Sequence, residues 1–411
     1  MTIEQQSTMS TQTHRKTEDY GGIILMLLIF ILAGAFSSLA SEMGCVNSVV
    51  NFVLSVIPSN FIMVGLFITS CLVSISIGTS CGTIAALAPI AVGVANSTGT
   101  SIPLMTAVIV GGSFFGDNLS FISDTTIMAT ETQGCQMSDK FKANVGLALP
   151  AAIIAIVIYS IMGIGTEVTT EPGNVALLLV LPYLAVFLLA LIGMNVVLVL
   201  LFGIISAGII ALCEGIMDIS AIWTSMGVGV QGMHDLIIVT IIAAVIMDQL
   251  RKKGVIDWLI MNMGRLISSR RGAELSIAGA TIAVDMLTAN NTIAILAVGP
   301  LAKSISYRYG IEPKRSASIL DTMSCFAQSV IPWGAQLLIA AGLAAINPID
   351  IIPYLYYPFL LGFITLVSII FYKKKTLLNK ENDKKEECIY TQTGKVKIKK
   401  LTPFTNQTNK E

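Results

Sequence analysis

Charge is what this sequence has least of. Only 12% of its 411 residues are Asp, Glu, Lys or Arg, against roughly 25% in an ordinary soluble domain. Histidine occurs twice, at His14 and His234, so there is no HExxH pair and little material for His-based hydrolase chemistry. The seven cysteines, Cys45, Cys71, Cys81, Cys135, Cys213, Cys325 and Cys388, form no CxxC pair. They signal neither a disulfide framework nor a zinc site and read as free, buried thiols. Positive and negative side chains balance at 25 each, and no basic stripe interleaved with aromatics runs along any segment, which excludes a nucleic-acid binder. Nothing implies an enzyme, a nucleotide or a metal cofactor.

What fills the chain is hydrocarbon: 54% of residues are hydrophobic and the mean hydropathy is +0.78. The runs from Ile23 to Ala40, Ala151 to Gly165 and Val175 to Cys213 are almost uncharged, and about 20 apolar residues suffice to cross a bilayer. The expectation is an all-α, polytopic membrane protein. Residues 1–19 are a polar tail without the order of a signal peptide, and 20–372 are expected to be the membrane-embedded domain. Residues 373–411 carry eleven lysines against five acidic residues, which the positive-inside rule places in the cytoplasm. Helices are expected near 21–42, 59–77, 84–96, 102–116, 141–163, 174–193, 195–213, 235–250, 274–306, 314–327 and 353–372. A second basic cluster lies between Arg251 and Arg271.

An internal repeat narrows the class. Thr83 to Ala88 (TIAALA) returns as Thr292 to Ala297 (TIAILA), 209 residues on. Pro89 then matches Pro300 after a two-residue shift, and Asn118 lines up with Gln328. Repeat one is expected at about 20–140 and repeat two at about 230–345, with connecting helices over 141–213. Paired repeats with interrupted hydrophobic segments are the mark of secondary transporters, whose sites lie at the repeat interface. Two hydrophobic helices, Val175 to Cys213, precede the second repeat and have no counterpart before the first, so the first repeat reads as truncated.

The segment Gly111 to Thr126 sets two carboxylates and six other polar side chains between hydrophobic walls. An ionised Asp at the bilayer centre costs about 2.5 to 3.5 kcal/mol, so such residues face a cavity or a partner. Asp117, Asp124 and Glu131 recur every seventh residue, but Gly116 and the Ser, Asn and Asp content argue that the helix breaks. Unwound carbonyls, Asn and Ser oxygens and a carboxylate make a hard-oxygen shell for an alkali cation. Gly78-Thr79-Ser80 is a second break able to hold an ion through its backbone. The later half answers with Asp285 to Thr292 and with Asp321 and Gln328, seven residues apart on one helical face. Burial disfavours an ionised carboxyl, so an Asp can hold a proton and surrender it when a cation arrives. Asp248, beside Arg251 and Lys252, reads as an interfacial ion pair, and His234 as a solvated residue at a helix entrance.

The run Gly111-Gly-Ser-Phe-Phe-Gly-Asp-Asn-Leu-Ser-Phe-Ile-Ser-Asp-Thr-Thr126, with Gly78-Thr-Ser before it and Thr132-Gln-Gly-Cys after it, resembles the NhaC family of Na⁺/H⁺ antiporters. The likeness extends over roughly Gly21 to Ala345. It implies two inverted repeats with broken helices and re-entrant hairpins, and exchange of cytoplasmic Na⁺ for external H⁺. It also puts weight on Asp117, Asn118, Ser120, Ser123, Asp124, Thr125 and Thr126 in the first half and on Asp285, Asn290, Asn291, Asp321 and Gln328 in the second. Asp117 and Asp124 would be the shared H⁺ and Na⁺ ligands. Lipid, Na⁺ and H⁺ are the implied partners, and a homodimer stays open. Two alternatives remain: a Na⁺-coupled carboxylate transporter or exchanger of the malate and lactate type, with Asn290 and Asn291 on the anion, and an N-terminally truncated inactive homologue. Against the first stands the expectation that no basic residue waits in the core.

Overall fold

A computed structural model describes residues 24–25, 27–121, 123–164, 176–192, 194–255, 258 and 269–371, with two short strands beyond. The chain forms two compact units, Met1–Ile369 and Ile370–Glu411. The second contains strand β1 (Glu386–Tyr390), antiparallel to β2 (Val396–Lys400) with Glu386 opposite Lys400, an addition to the all-α expectation.

The first unit is helical. Its elements are α1 (Leu27–Glu42), α2 (Cys45–Val56), α3 (Ile62–Ile77), α4 (Ser80–Thr98), α5 (Ile102–Leu119), α6 (Asp124–Gln133), α7 (Met137–Met162), α8 (Leu177–Leu191) and α9 (Val196–Cys213). They continue with α10 (Ile219–Gly232), α11 (His234–Lys252), α12 (Arg270–Thr288), α13 (Asn291–Tyr309), α14 (Pro313–Val330), α15 (Ala335–Ala344), the single turn α16 (Pro348–Ile351) and α17 (Tyr356–Phe371). Among the described residues, six helices are long and apolar enough to cross a membrane, or up to eight if each bent pair counts as one span. The protein is therefore a multi-pass membrane protein. Peripheral helices α7 and α9 bury only 33% of their span and turn residues such as Ile153, Val157 and Ile205 outward, as a lipid-facing surface requires. By contrast, α14 is poor in apolar residues yet buried along most of its length. Its polar groups are enclosed by protein. One enclosed contact is Arg315 Nη2 to Glu274 Oε2 at 3.0 Å, tying α14 to α12.

The expected helix 274–306 is two helices. Ala289 takes a left-handed conformation (φ 48°) and Asn290 is extended, its side chain accepting from Ile293 N. That geometry ends α12 and caps α13. Helices α2, α6, α10 and α15 lie where no separate helix was expected. The expected start at 21 and most of the basic loop 251–271 fall outside the described residues. Gly116 breaks nothing: it lies inside α5, where a Cβ would come 2.1 Å from Ser74 Oγ of α3. It permits close helix contact, and the break comes at Ser120 to Ser123.

A pattern of elements recurs with one offset. Ser80 and Asn291 begin α4 and α13, Thr98 and Tyr309 end them, and each pair is 211 residues apart. The same offset relates both ends of α5 to α14 and of α6 to α15. It also relates the left-handed caps Gly78 to Ala289 and Gly134 to Ala345. The shared hexapeptide is thus two residues out of the structural register. At 211, Pro89 and Pro300 correspond without a shift, and the partner of Gln328 is Asp117 instead of Asn118.

The two copies are interlocked. Helix α6 packs on α13 and α14 of the later copy, while α15 packs on α4 and α5 of the earlier one. Gln133 of α6 donates to Gly299 O of α13 at 2.9 Å and accepts from Ser316 of α14 at 2.9 Å. Two hydrophobic clusters follow this exchange. The larger contains Leu337 to Ala341 of α15 together with α1–α5 and α7–α9. The smaller joins Ala129 of α6 to α12, α13 and α14.

Candidate functional site: a cavity at four helix breaks

Each break ends one helix and starts another, so it presents carbonyls from the first and N–H groups from the second. Four breaks meet at one cavity of about 150 Å³. Gly78, Thr79, Ser80 and Cys81 come from the start of α4, and Ser123, Asp124 and Thr125 from the start of α6. Ala289 to Thr292 come from the start of α13, and Ala335 and Gln336 from that of α15. Asp117 and Gln328 enter from late in α5 and α14. Leu25 and Ile29 complete the lining.

The side chains divide into an inner set and a mouth. Asp117 is 3% exposed and accepts from Ser80 N at 3.0 Å. From Ser80 a chain of hydrogen bonds crosses to the later copy: Gln336 Nε2 donates to Ser80 Oγ at 3.0 Å, and Gln328 Nε2 donates to Gln336 Oε1 at 2.9 Å and to Ala289 O at 3.0 Å. Gln328 Oε1 is buried without a hydrogen-bond partner, an acceptor left for a cation or a donor. Asp124 is exposed, in the first turn of α6, where a helix N-terminus favours negative charge. Ser123 Oγ and Thr125 Oγ1 lie 3.0 Å apart beside it.

Of the residues expected from sequence, the cavity gathers Asp117, Ser123, Asp124, Thr125, Asn290, Asn291 and Gln328, with Gly78, Thr79 and Ser80. Five others, Asn118, Ser120, Thr126, Asp285 and Asp321, lie off its lining. Asn118 turns back to Phe114 O at 2.7 Å, and Ser120 donates to Ile75 O at 2.8 Å. Asp285 is fully buried. Asp321 is fully buried and paired with Lys140, Nζ to Oδ2 2.8 Å. Glu131 is exposed, so the seven-residue stripe ends at the break.

Lys140 corrects the expectation of a core without basic residues: it is 1% exposed. Asn144 Nδ2 donates to the same Asp321 Oδ2 at 2.7 Å; Lys140 falls just outside the helix expected from 141, and Asn144 lies inside it without any neighbouring polar motif to single it out. Asp248 does pair with Lys252 at an exposed site, and His234 Nδ1 lies 2.6 Å from Gln231 O at a helix start. The thiols are less uniform than expected: Cys45, Cys71 and Cys325 are buried, but Cys213 is exposed.

A charge-bearing cavity walled by broken helices inside an apolar bundle is the make-up of a membrane transporter. The comparisons with known proteins carry this to a family. The model of the Na⁺/H⁺ antiporter family matches residues 17–164 and 173–373, and the chain belongs to that family. It is 25% identical to the Na⁺/H⁺ antiporter NhaC of Alkalihalophilus pseudofirmus, covering 82% of this chain and 80% of that protein. With the NhaC antiporter of Bacillus subtilis it shares 26% identity, over 84% of this chain and 83% of the relative. The malate-2H⁺/Na⁺-lactate antiporter of Bacillus subtilis is 22% identical over 81% of this chain and 78% of its own length.

Proposed function

We propose that the protein is a secondary transporter that exchanges Na⁺ for H⁺ across the cytoplasmic membrane, with its Lys-rich tail on the cytoplasmic side. The observation that carries this reading is one cavity in which Asp117 and Asp124 stand among neutral oxygens at four helix breaks. Facing the side richer in protons, the carboxyls take up H⁺; facing the cytoplasm, Na⁺ enters as the carboxyls release it. Ser123, Thr125 and Gln328 Oε1 would supply the neutral ligands that replace water. Access alternates as one copy of the element pattern, inverted relative to the other, moves against its partner. In acid-loaded proteoliposomes containing a pH-sensitive dye, adding Na⁺ is expected to dissipate the gradient. Asp124→Asn is expected to reduce this at least 100-fold while the protein still inserts; unaltered exchange in that variant rules the site out.

A second reading rests on a specific observation. The starts of α4, α6, α13 and α15 all line the cavity, and α4, α6 and α15 have no side-chain cap. Backbone N–H groups at helix starts bind anions, and one relative is named for malate and lactate exchange. The same liposomes separate the readings. Dissipation by Na⁺ alone supports simple exchange, whereas a response that requires added malate or lactate supports a coupled carboxylate.

A further inference from the structure

Next to the cavity, but outside its lining, lies a second group of polar atoms that the exchange reading leaves unused. Lys140, in the first turn of α7, directs Nζ at three oxygens from three helices. These are Asn118 O at 2.9 Å in α5, Thr126 Oγ1 at 2.6 Å in α6 and Asp321 Oδ2 at 2.8 Å in α14. An ammonium has three hydrogens to donate, and three acceptors meet them. One turn along α7, Asn144 Nδ2 binds two of the same atoms, Asn118 O and Asp321 Oδ2, at 2.9 and 2.7 Å. The arrangement touches the transport site through the backbone: Thr125 and Thr126 hydroxyls lie 3.4 and 3.5 Å from Asp117 O. Carbonyl, hydroxyl and carboxylate oxygens around one positive centre are the donor set a hard cation collects. Here the cation is part of the chain.

We propose that Lys140 is a resident cation of the ion site. It neutralises Asp321 and holds the α5–α6 break in place, and so leaves Asp117 and Asp124 as the carboxylates for which transported ions compete. Lys140 does not line the cavity and is a positioning residue. Asp321 thereby becomes a structural anion joining the two copies of the element pattern, through a side chain that binds α5, α6 and α14 together.

The inference rests on the Na⁺/H⁺ reading of the cavity, and its consequences follow from charge. Lys140→Met leaves Asp321, fully buried, without its counter-charge. Removing one partner of a buried pair is far more disruptive than removing both, and an added negative charge beside the cavity strengthens cation binding. The test compares Lys140→Met, Asp321→Asn and the double variant with the unmodified protein, by Na⁺ titration in proteoliposomes and by thermal unfolding in detergent. Lys140→Met is expected to lower half-saturating Na⁺ about tenfold, the low end of what a nearby charge does to a binding equilibrium, with a reduced maximal rate. The double variant is expected to bring both values back toward those of the unmodified protein and to unfold at a higher temperature than Lys140→Met. An unchanged half-saturation in Lys140→Met, or losses that simply add in the double variant, would overturn the proposal. Silence of the unmodified protein toward Na⁺ sinks the exchange reading instead. The unfolding cycle then still decides on the pair, since additive losses refute it and non-additive losses uphold it.

Discussion

At the scale of single residues, the site depends on how closely α3 and α5 approach. Ser74 donates its hydroxyl to Ser113 O, and Ser70 donates to Ile109 O at 2.7 Å, so two serines of α3 anchor on the backbone of α5. Gly112 and Gly116 face them: an added Cβ would stand 2.6 Å from Ser70 Cβ and 2.1 Å from Ser74 Oγ. Asp117 follows directly and takes its position from this contact. Gly116→Ala must push α5 from α3, an overpacking that costs about 1 to 3 kcal/mol. It is expected to lower the unfolding midpoint in detergent and to weaken Na⁺-driven exchange, whereas a substitution on the outward face of α9, Ile205→Ala, is expected to leave the midpoint nearly unchanged. An unaltered midpoint in Gly116→Ala would mean that the helices separate freely and that Asp117 is held by other contacts. This glycine also marks a limit of reading from sequence. In GGSFFGDN it has the look of a breaker, because composition does not distinguish a glycine that frees the backbone from one that admits a neighbour. Lys140 marks another limit. It stands between Asp139 and Phe141, with Lys142 next, in a charged stretch before the apolar run, and only the buried stripe Lys140, Asn144, Ala148, Ala151, Ala155 and Tyr159, with its helical spacing, exposes it as an inward-facing residue.

At the scale of elements, the breaks make the site, and their legibility varied with their chemistry. Gly78-Thr79-Ser80 and the Ser120 to Ser123 segment are polar or glycine-bearing and stood out from the hydrophobic background. The break at Ala289 did not, because alanine is the best helix former and its left-handed backbone is imposed by tertiary packing. The hexapeptide match likewise falls two residues out of the register in which the helix ends recur, since small apolar residues recur in membrane helices at many offsets while caps and breaks do not. The matched positions Gly78 (φ 75°) and Ala289 (φ 48°) allow a reciprocal test. A Cβ in the left-handed region costs about 1 to 2 kcal/mol, so Gly78→Ala is expected to destabilise the protein by about 1 kcal/mol. In Ala289→Gly the relief of that strain exceeds the added chain entropy of glycine, about 0.5 to 1 kcal/mol, so the midpoint should hold or rise slightly. Thermal unfolding of both variants checks the pair. A marked loss in Ala289→Gly would show that the Ala289 methyl group supplies packing worth more than the strain.

At the scale of the whole molecule, the two hydrophobic clusters divide the membrane unit differently from the sequence. Helix α6 follows α5 in the chain but belongs to the cluster of α12, α13 and α14, and α15 follows α14 but lies in the cluster of the first copy. Any movement of one cluster against the other must therefore bend the chain where it crosses between them, and two of these crossings are the α5–α6 and α14–α15 breaks. Both crossings adjoin the cavity, with Ser123 and Asp124 on one side and Ala335 and Gln336 on the other. A cation held by Asp117, Asp124 and Gln328 would bridge the two clusters directly and bias the position of both crossings at once. Ligand contacts that differ between two states are what shift an equilibrium between them. Hydrogen–deuterium exchange with and without Na⁺ at alkaline pH reads this out. Na⁺ is expected to slow amide exchange together at 78–81, 120–125, 289–292 and 332–336, and to leave α9, which contributes nothing to the cavity lining, as it was. Protection confined to 78–81 and 120–125 would mean that the ion is held by the first copy alone, and the chain of hydrogen bonds from Gln328 through Gln336 to Ser80 would then serve packing and not transport.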